Sequence, residues 1–515
     1  MSLVIAYDFG TGGIKASLFD TEGCIKCESF ETYETRFPQS NHQVQSPNEW
    51  WEAFVVSTKN ILSKANVSKD EIVGLGISGH SLGLVPLDQN HEQLLEWTPI
   101  WSDSRATAQA EYFFESNSLE EWYLLTGNGF PPGHYPVFKL LWLKQNCPDI
   151  FEQISVFLGT KDFINFKLTG KVATDYSYAS GTGIYDLKNW KYSSQILEAT
   201  GLPASIFPTI MASDDVLGTL LPEVAEELGL SPSVKVVLGG VDNSCMALGA
   251  GNTSHGKAYN SLGSSSWIAV SSKEPILSAE TKPFVFTHVL PELFTSATAI
   301  FSAGTSLNWY KRQIVEQFGK EVSFDDISKL ATQSCVGANG LLFVPHLAGG
   351  SALDLSSNVK GSFFGLELKH TDADMARAVF EGITFALKIA LEALTDVEEF
   401  DEQIRFVGGG SKSEFWMQLF ADIFDRNIQV TNVNQQCAAL GAAALAGVGC
   451  GVWKDYSVIE TVHNNTKNFH PDDIKKGKYA SVFSTFKIVN KGLAKINCPS
   501  IGAYDKNFFT LIGKS

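Results

Sequence analysis

Val4-Ile5-Ala6-Tyr7-Asp8-Phe9-Gly10-Thr11-Gly12-Gly13-Ile14-Lys15 is the stretch from which the rest of the chain is read. Leu3 to Tyr7 is an apolar strand, Asp8 to Gly13 is a turn that no helix would tolerate, and Ile14 to Phe19 resumes a strand. Gly12 and Gly13 let the main chain come close to a phosphate, Thr11 adds a hydroxyl donor, and Lys15 stands on the outgoing strand within reach of a phosphate oxygen. Asp8, at the end of the first strand, is placed to hold magnesium directly or through water. The segment is neither a Walker loop nor a G-x-G-x-x-G before a helix. A plain glycine-rich hairpin is the alternative reading.

Outward from this hairpin, Asp20-Thr21-Glu22-Gly23 closes a second one, and Pro47 to Trp51 opens a helix running to about Ala65. Ile72 to Ser78 is a buried strand that leaves through Gly79-His80-Ser81-Leu82-Gly83 toward another strand ending at Leu87. Strands in a hairpin, a helix and a further strand indicate an α/β fold with a mixed sheet backed by helices. Residues 105 to 235 read as largely helical, with Phe138-Lys139-Leu140-Leu141-Trp142-Leu143 at helical spacing. Val234 to Leu238 is an apolar strand ending in Gly239-Gly240-Val241-Asp242-Asn243, and a helix begins near Ser244.

The second half repeats the theme. Ala258 to Leu262 is a strand, Gly263-Ser264-Ser265-Ser266 a polar turn, and Trp267 to Val270 the returning strand. A nucleotide clamped between two such hairpins meets N–H donors from both sides. Gln403 to Val407 is another strand, leading into Gly408-Gly409-Gly410-Ser411-Lys412-Ser413 and a helix through Phe424. At 515 residues the chain exceeds one comfortable core, so two large domains are expected. The boundary is placed near residue 252, giving 1–252, 253–495 and a tail, 496–515, without a readable pattern.

A formal net charge of −17 repels phosphate backbones, so nucleic acid and anionic membranes are poor partners. An anionic nucleotide must be held by local backbone N–H groups and a metal. Met1 to Phe9 has neither a basic start nor a cleavage site, and the cytoplasm is the natural compartment. The longest small-apolar stretch, Cys437 to Trp453, is 17 residues rich in Ala and Gly. It reads as a buried helix packed closely against backbone, with a membrane span as the alternative. Eight cysteines are scattered along the chain. Cys24 and Cys27 form a C-x-x-C with no second pair at a zinc spacing, so reduced, mostly buried thiols are expected.

Two more segments carry chemistry. Asp242, after a strand and at a helix start, is either a helix cap or a general base orienting a sugar hydroxyl toward phosphorus. The triple glycine at 408–410 is either a flexible loop or a platform on which a base and ribose lie against backbone.

In their order and spacing these segments resemble the FGGY family of carbohydrate kinases, from Val4 to about residue 490. The turn at 8–15 contributes, as do Trp101-Ser102-Asp103-Ser104-Arg105-Ala106, Phe157 to Phe163 with Leu168-Thr169-Gly170, and Thr174-Asp175-Tyr176-Ser177 with Ala179 to Thr182. Gly239 to Asn243, Asn260 to Ser265, Gly408 to Ser413 and Ala438 to Ala443 complete the series. The resemblance implies a two-domain actin-like (ribonuclease H-like) ATPase fold with mixed sheets, flanking helices and an interdomain cleft that closes on its ligands. It implies an enzyme using ATP and Mg2+ to phosphorylate a small sugar or polyol. By the same resemblance Asp242 is the catalytic base, and Asn243, His80, Ser81 and Asp103 meet the sugar. Thr11, Gly12, Lys15 and Ser264 with Gly263 meet phosphates. Gly304 and Asn308 contact the nucleotide, and Gly409, Gly410 and Ser413 stand beside adenine and ribose. Family members are often dimers, and a homodimer is expected by that analogy alone.

Within the family the chain looks most like the xylulose kinase branch, so D-xylulose is the first substrate to expect. One departure bears on that choice. Xylulose kinases usually carry Met-His-Gly after the Ile72–Ser78 strand, where this chain has Ser81-Leu82-Gly83, with its histidine at His80. One or two hydrogen-bonding groups can retune a polar pocket strongly, so gluconate, erythritol, ribulose and glycerol stay open. An actin-like ATP-binding switch without catalysis would explain the two phosphate hairpins equally well, but not Asp242 with Asn243 or the Trp101–Arg105 motif.

Overall fold

The computed structural model describes residues 2–495 apart from 317–320, 352, 355–358, 396, 434–435 and 465. The tail placed at 496–515 lies outside the described residues. In the first strand, Leu3–Gly10, side chains alternate between two cores. Leu3, Ile5, Tyr7 and Phe9 pack with Trp50, Phe54 and Ile61 of the helix Pro47–Ala65. Val4 and Ala6 point the other way, toward Leu440 and Ala443 of the helix Cys437–Gly449. A strand covered on both faces reads as a continuous apolar run, as parallel strands do.

The first sheet runs Val216–Thr219, Lys235–Val241, Ile72–Gly79, Leu3–Gly10, Gly13–Phe19, Ile25–Thr32. Its three central strands are parallel and the others join antiparallel. The second sheet runs Phe284–Thr287, Phe294–Ile300, Ser266–Ser272, Ala258–Leu262, Gln403–Val407, Asn427–Val430, Lys467–Phe469. One of its faces is covered by the helices Asp372–Thr395 and Glu414–Phe424. From its other face Tyr259, Ala269 and Val407 enter the same core as Val4 and Ala6. Between the sheets lie two helices, Asp242–Gly249 and Cys437–Gly449, in backbone contact. A Cβ on Gly249 would collide with the Cys437 carbonyl oxygen, and one on Gly441 with that of Cys245. The Ala- and Gly-rich stretch is thus a buried helix. Among the described residues, no helix is long and apolar enough to cross a membrane.

Several expectations are corrected. The first turn is only Thr11-Gly12, because the strands extend to Gly10 and from Gly13, which pair with each other. The strand expected to stop at Leu238 continues to Val241, and the following helix starts at Asp242, not Ser244. Residues 105–235 mix short helices, such as Pro136–Asn146 and Thr160–Thr169, with short paired strands such as Thr174–Asp175 and Ile210–Met211. Of the described cysteines, only Cys245 and Cys437 are buried, while Cys24 and Cys335 are exposed.

Candidate active site

Ligands of open α/β sheets collect beyond the carboxyl ends of parallel strands, and three such ends converge here. Asp8 stands opposite Ser78, and Ser78 opposite Gly240, across adjacent strands about 4.8 Å apart. The Ser78 hydroxyl donates to Asp8 Oδ1 at 3.0 Å. Burial pushes the Asp8 carboxyl up, against the pull of that hydrogen bond and of Lys15.

Asp242 begins its helix without capping it. Val241 occupies the cap position, and Asp242 Oδ1 accepts the adjacent Asn243 N–H at 2.8 Å. Burial and the neighbouring Asp8 charge push its carboxyl up to about 7. The cap reading is thereby set aside, and a carboxylate poised near neutrality remains. Beside it, the buried Asn243 Oδ1 has no hydrogen-bond partner among the described residues. A buried acceptor in that state calls for an outside donor.

The first hairpin points its tip at this region. Gly12 and Thr11 are exposed, and Lys15 lies directly across from Asp8. Gly13 admits no side chain, because a Cβ would strike the Glu31 carbonyl. The Thr11 hydroxyl accepts from Trp101 Nε1 at 2.9 Å, and the Thr11 carbonyl accepts from Gln45 Nε2 at 2.7 Å. Accepting leaves the hydroxyl proton of Thr11 available to a ligand oxygen.

His80, Ser81 and Asp103 lie on two neighbouring loops. His80 is buried, meets Trp50 edge-on at 5.6 Å and Thr160 Oγ1 at 3.2 Å, and burial draws its imidazole down to about 4. It is a neutral ring near pH 7. Ser81 is half-buried. Asp103 is fully buried and its oxygens are committed. It accepts Arg105 Nε and Nη2, each at 2.8 Å, and the Gln43 N–H at 2.7 Å. Burial opposes ionisation, but Arg105 holds Asp103 below the usual carboxylate range. In this geometry Asp103 braces the loop.

Sequence reasoning missed Lys139. It is fully buried, and its ammonium donates to the Leu82 carbonyl at 3.0 Å and the Ile100 carbonyl at 2.6 Å, tying the two loops together. The signal was a lysine on the inward face of an otherwise apolar helix.

The residues expected at the nucleotide gather in the second sheet. Gly263 and Ser264 form an exposed turn. Its carbonyls accept the N–H groups of Gly304 (to Gly263), Ala303 and Thr305 (both to Ser264), each at 3.0 Å. Gly304 lies so close that a Cβ would collide with the Gly263 oxygen, and Asn308 is exposed on the same helix, Gly304–Tyr310. Gly408, at φ +95°, admits the chain beside Leu262, and a Cβ on Gly410 would meet the Leu262 side chain at 2.5 Å. Gly409 is exposed. The Ser413 hydroxyl caps the helix Glu414–Phe424 through Trp416 N–H at 3.3 Å and shares a hydrogen bond with Ser328 at 3.1 Å. The helix Asp242–Gly249 bridges the two groups. Tyr259 OH donates to the Asn243 carbonyl at 3.4 Å, and Ser244 Oγ to the Thr287 carbonyl at 2.9 Å. Among the described residues, no cluster of three or more His, Cys, Asp or Glu side chains stands ready for a metal.

Known proteins with this arrangement are readily found. The model of the FGGY family of carbohydrate kinases, N-terminal domain, matches residues 3–249, and that of its C-terminal domain matches 258–450. The xylulose kinase of Bacillus subtilis (strain 168) is 32% identical over 508 residues, covering 98% of this chain and 100% of that protein. The structure of a ligand-bound xylulose kinase from Lactobacillus acidophilus superimposes with a TM-score of 0.89 at 26% identity, covering 96% of this chain and 99% of the other. A gluconate kinase from the same organism gives the same TM-score, identity and coverage. These likenesses span both sheets, and the two-domain, actin-like architecture is the one observed.

Proposed function

Because the chain belongs to the FGGY family of carbohydrate kinases, we propose that it transfers the terminal phosphoryl group of ATP to a hydroxyl of a pentulose, D-xylulose first. The observation that carries the reading is Asp242. It is a carboxylate bonded by the adjacent backbone, raised to about 7, beside Asp8 at the ends of parallel strands. A base with that affinity takes the proton of a sugar hydroxyl as the oxygen attacks phosphorus, and releases it to solvent afterwards. Asn243 Oδ1, without a donor among the described residues, would accept a second hydroxyl of the sugar. His80, neutral, and Ser81 would line the far side of the pocket, with Asp103 bracing its loop.

The residues also fit a magnesium nucleotide. Asp8 is a half-buried carboxylate whose charge is only partly compensated, and a cation or its water shell would complete that compensation. Magnesium, when bound with ATP, supplies neutralisation of the phosphate charge. Thr11, Gly12, Gly13 and Lys15 would hold phosphate oxygens from one side, and Gly263 and Ser264 from the other. Gly304, Asn308, Gly409, Gly410 and Ser413 would line the nucleoside. We further place the domain boundary near residue 252 and the protein in the cytoplasm, where ATP is supplied.

A second reading, gluconate as acceptor, is favoured by the equal structural likeness to a gluconate kinase and by Ser81-Leu82-Gly83 at the sugar loop. ADP release with D-xylulose, gluconate, erythritol, ribulose and glycerol, against a no-sugar control, decides between them. Fastest turnover on D-xylulose is expected. ADP release independent of every sugar would leave only the ATP-binding switch.

A further inference from the structure

The strand that delivers Asp242 is not regular. Against Ile72–Gly79 its register slips between Val237 and Gly240, with Gly239 at φ +73°. Such a bulge re-aims the residues beyond it and leaves backbone groups outside the ladder. On its other side the strand Val216–Thr219 pairs only as far as Val237. The groups past that point are held by the loop 213–215 and by side chains. Leu238 N–H donates to the Asp215 carbonyl at 3.0 Å and Gly239 N–H to the Ser213 carbonyl at 2.9 Å. Asn165 Nδ2 donates to the Leu238 carbonyl at 2.8 Å. The last of these groups is the N–H of Val241, which donates to Ser177 Oγ at 3.0 Å.

Ser177 is itself fixed. Its hydroxyl proton goes to Asp175 Oδ2, which also accepts Ser177 N–H and Ser213 Oγ, each at 2.8 Å. Asp175 Oδ1 pairs with Lys161 Nζ at 2.9 Å, and Lys161, Asp175 and Ser177 are all fully buried. With its one proton committed to the carboxylate, the serine oxygen can only accept, and what it accepts is the amide preceding Asp242. A buried network so connected permits one geometry.

We propose that Ser177, oriented by Asp175, is a positioning residue that aims Asp242 through the Val241 amide. This rests on the reading of Asp242 as the base. Ser177→Ala should lower kcat roughly 10- to 100-fold, the scale on which small misplacements act, with KM for sugar and ATP within about 3-fold of the parent. Ser213→Ala removes a hydrogen bond to the same buried carboxylate but touches no amide of the bulge through its side chain. It should keep kcat within about 2-fold and the acid limb of the kcat–pH profile in place, whereas Ser177→Ala moves that limb.

The decisive measurement is the double variant Ser177→Ala/Asp242→Asn, assayed on the sugar that the panel selects. If Ser177 acts through Asp242, the double variant is no slower than Asp242→Asn alone. Losses that multiply overturn the positioning role and leave the base intact. An Asp242→Asn variant with parental turnover removes the base, and the role of Ser177 through it. Should Ser177→Ala not fold, Ser177→Cys is scored by the same criteria.

Discussion

Trp101 Nε1 donates to the Thr11 hydroxyl at 2.9 Å, joining the tip of the first hairpin to a loop ninety residues away. The indole also meets Phe130 edge-on at 6.4 Å. Trp101→Phe keeps a smaller aromatic ring there and deletes the donor. A neutral hydrogen bond contributes about 1 kcal/mol, so KM for ATP should rise roughly 2- to 5-fold with kcat nearly constant. Steady-state kinetics at saturating sugar tests this. An unaltered KM would mean that Gln45, through the Thr11 carbonyl, holds the turn unaided.

Asp242, the proposed base, should cost stability. Its value near 7 lies above the ordinary carboxylate value of 3.8, so the folded state binds a proton that the unfolded state releases between those pH values. Stability from this group is therefore present at low pH and lost as pH rises toward 7. Asp242→Asn should then be more stable than the parent at pH 8, by on the order of 1 kcal/mol after solvent screening, with no gain at pH 3. Urea titrations at both pH values check the sign. Turnover at pH 8 should fall at least ~10²-fold.

Much of this was legible beforehand because it depends on local rules. Gly10 to Gly13 cannot be helical, Pro47 suits a helix start, and Ala258–Leu262 with Ser266–Ser272 repeats the first hairpin. What escaped reading depends on distant partners. Gly239-Gly240 looks like the end of a strand, yet the strand continues because Ser213, Asp215, Asn165 and Ser177 satisfy its backbone. Asp103 is placed at the sugar by resemblance, and the sequence alone does not show that its oxygens accept from Arg105 and the Gln43 amide.

Lys139 gives a pH test of the two loops at His80 and Asp103. Burial draws its ammonium from the ordinary 10.5 down to about 7, with Asp103 opposing and Arg105 assisting. Between pH 7 and 10.5 the unfolded chain holds the extra proton, so the penalty of burying this lysine is full below pH 7 and relieved as pH rises. Lys139→Met strands the carbonyls of Leu82 and Ile100 and should be the less stable protein at both pH 6 and pH 9. The gap should be about 2 kcal/mol wider at pH 9. KM for the sugar should rise as the His80–Leu82 loop loosens. A gap independent of pH would show that Lys139 keeps its full charge.

The helix carrying Asp242 leans on Cys437–Gly449 with no room to spare. A Cβ at Gly249 would collide with the Cys437 carbonyl, and backbone cannot swing aside as a side chain does. Gly249→Ala must therefore separate the helices, at a cost of about 1–3 kcal/mol, and it should lower kcat because Asp242 begins the displaced helix. Gly477 supplies the contrast. It is exposed inside the helix Asp473–Lys495 with nothing within 4 Å of an added Cβ. Gly477→Ala should gain about 0.5–1 kcal/mol from helix propensity and leave kcat alone. Urea midpoints and turnover for the pair decide the matter. If Gly249→Ala were as stable and active as Gly477→Ala, the close approach of the two helices would not be what holds Asp242 in place.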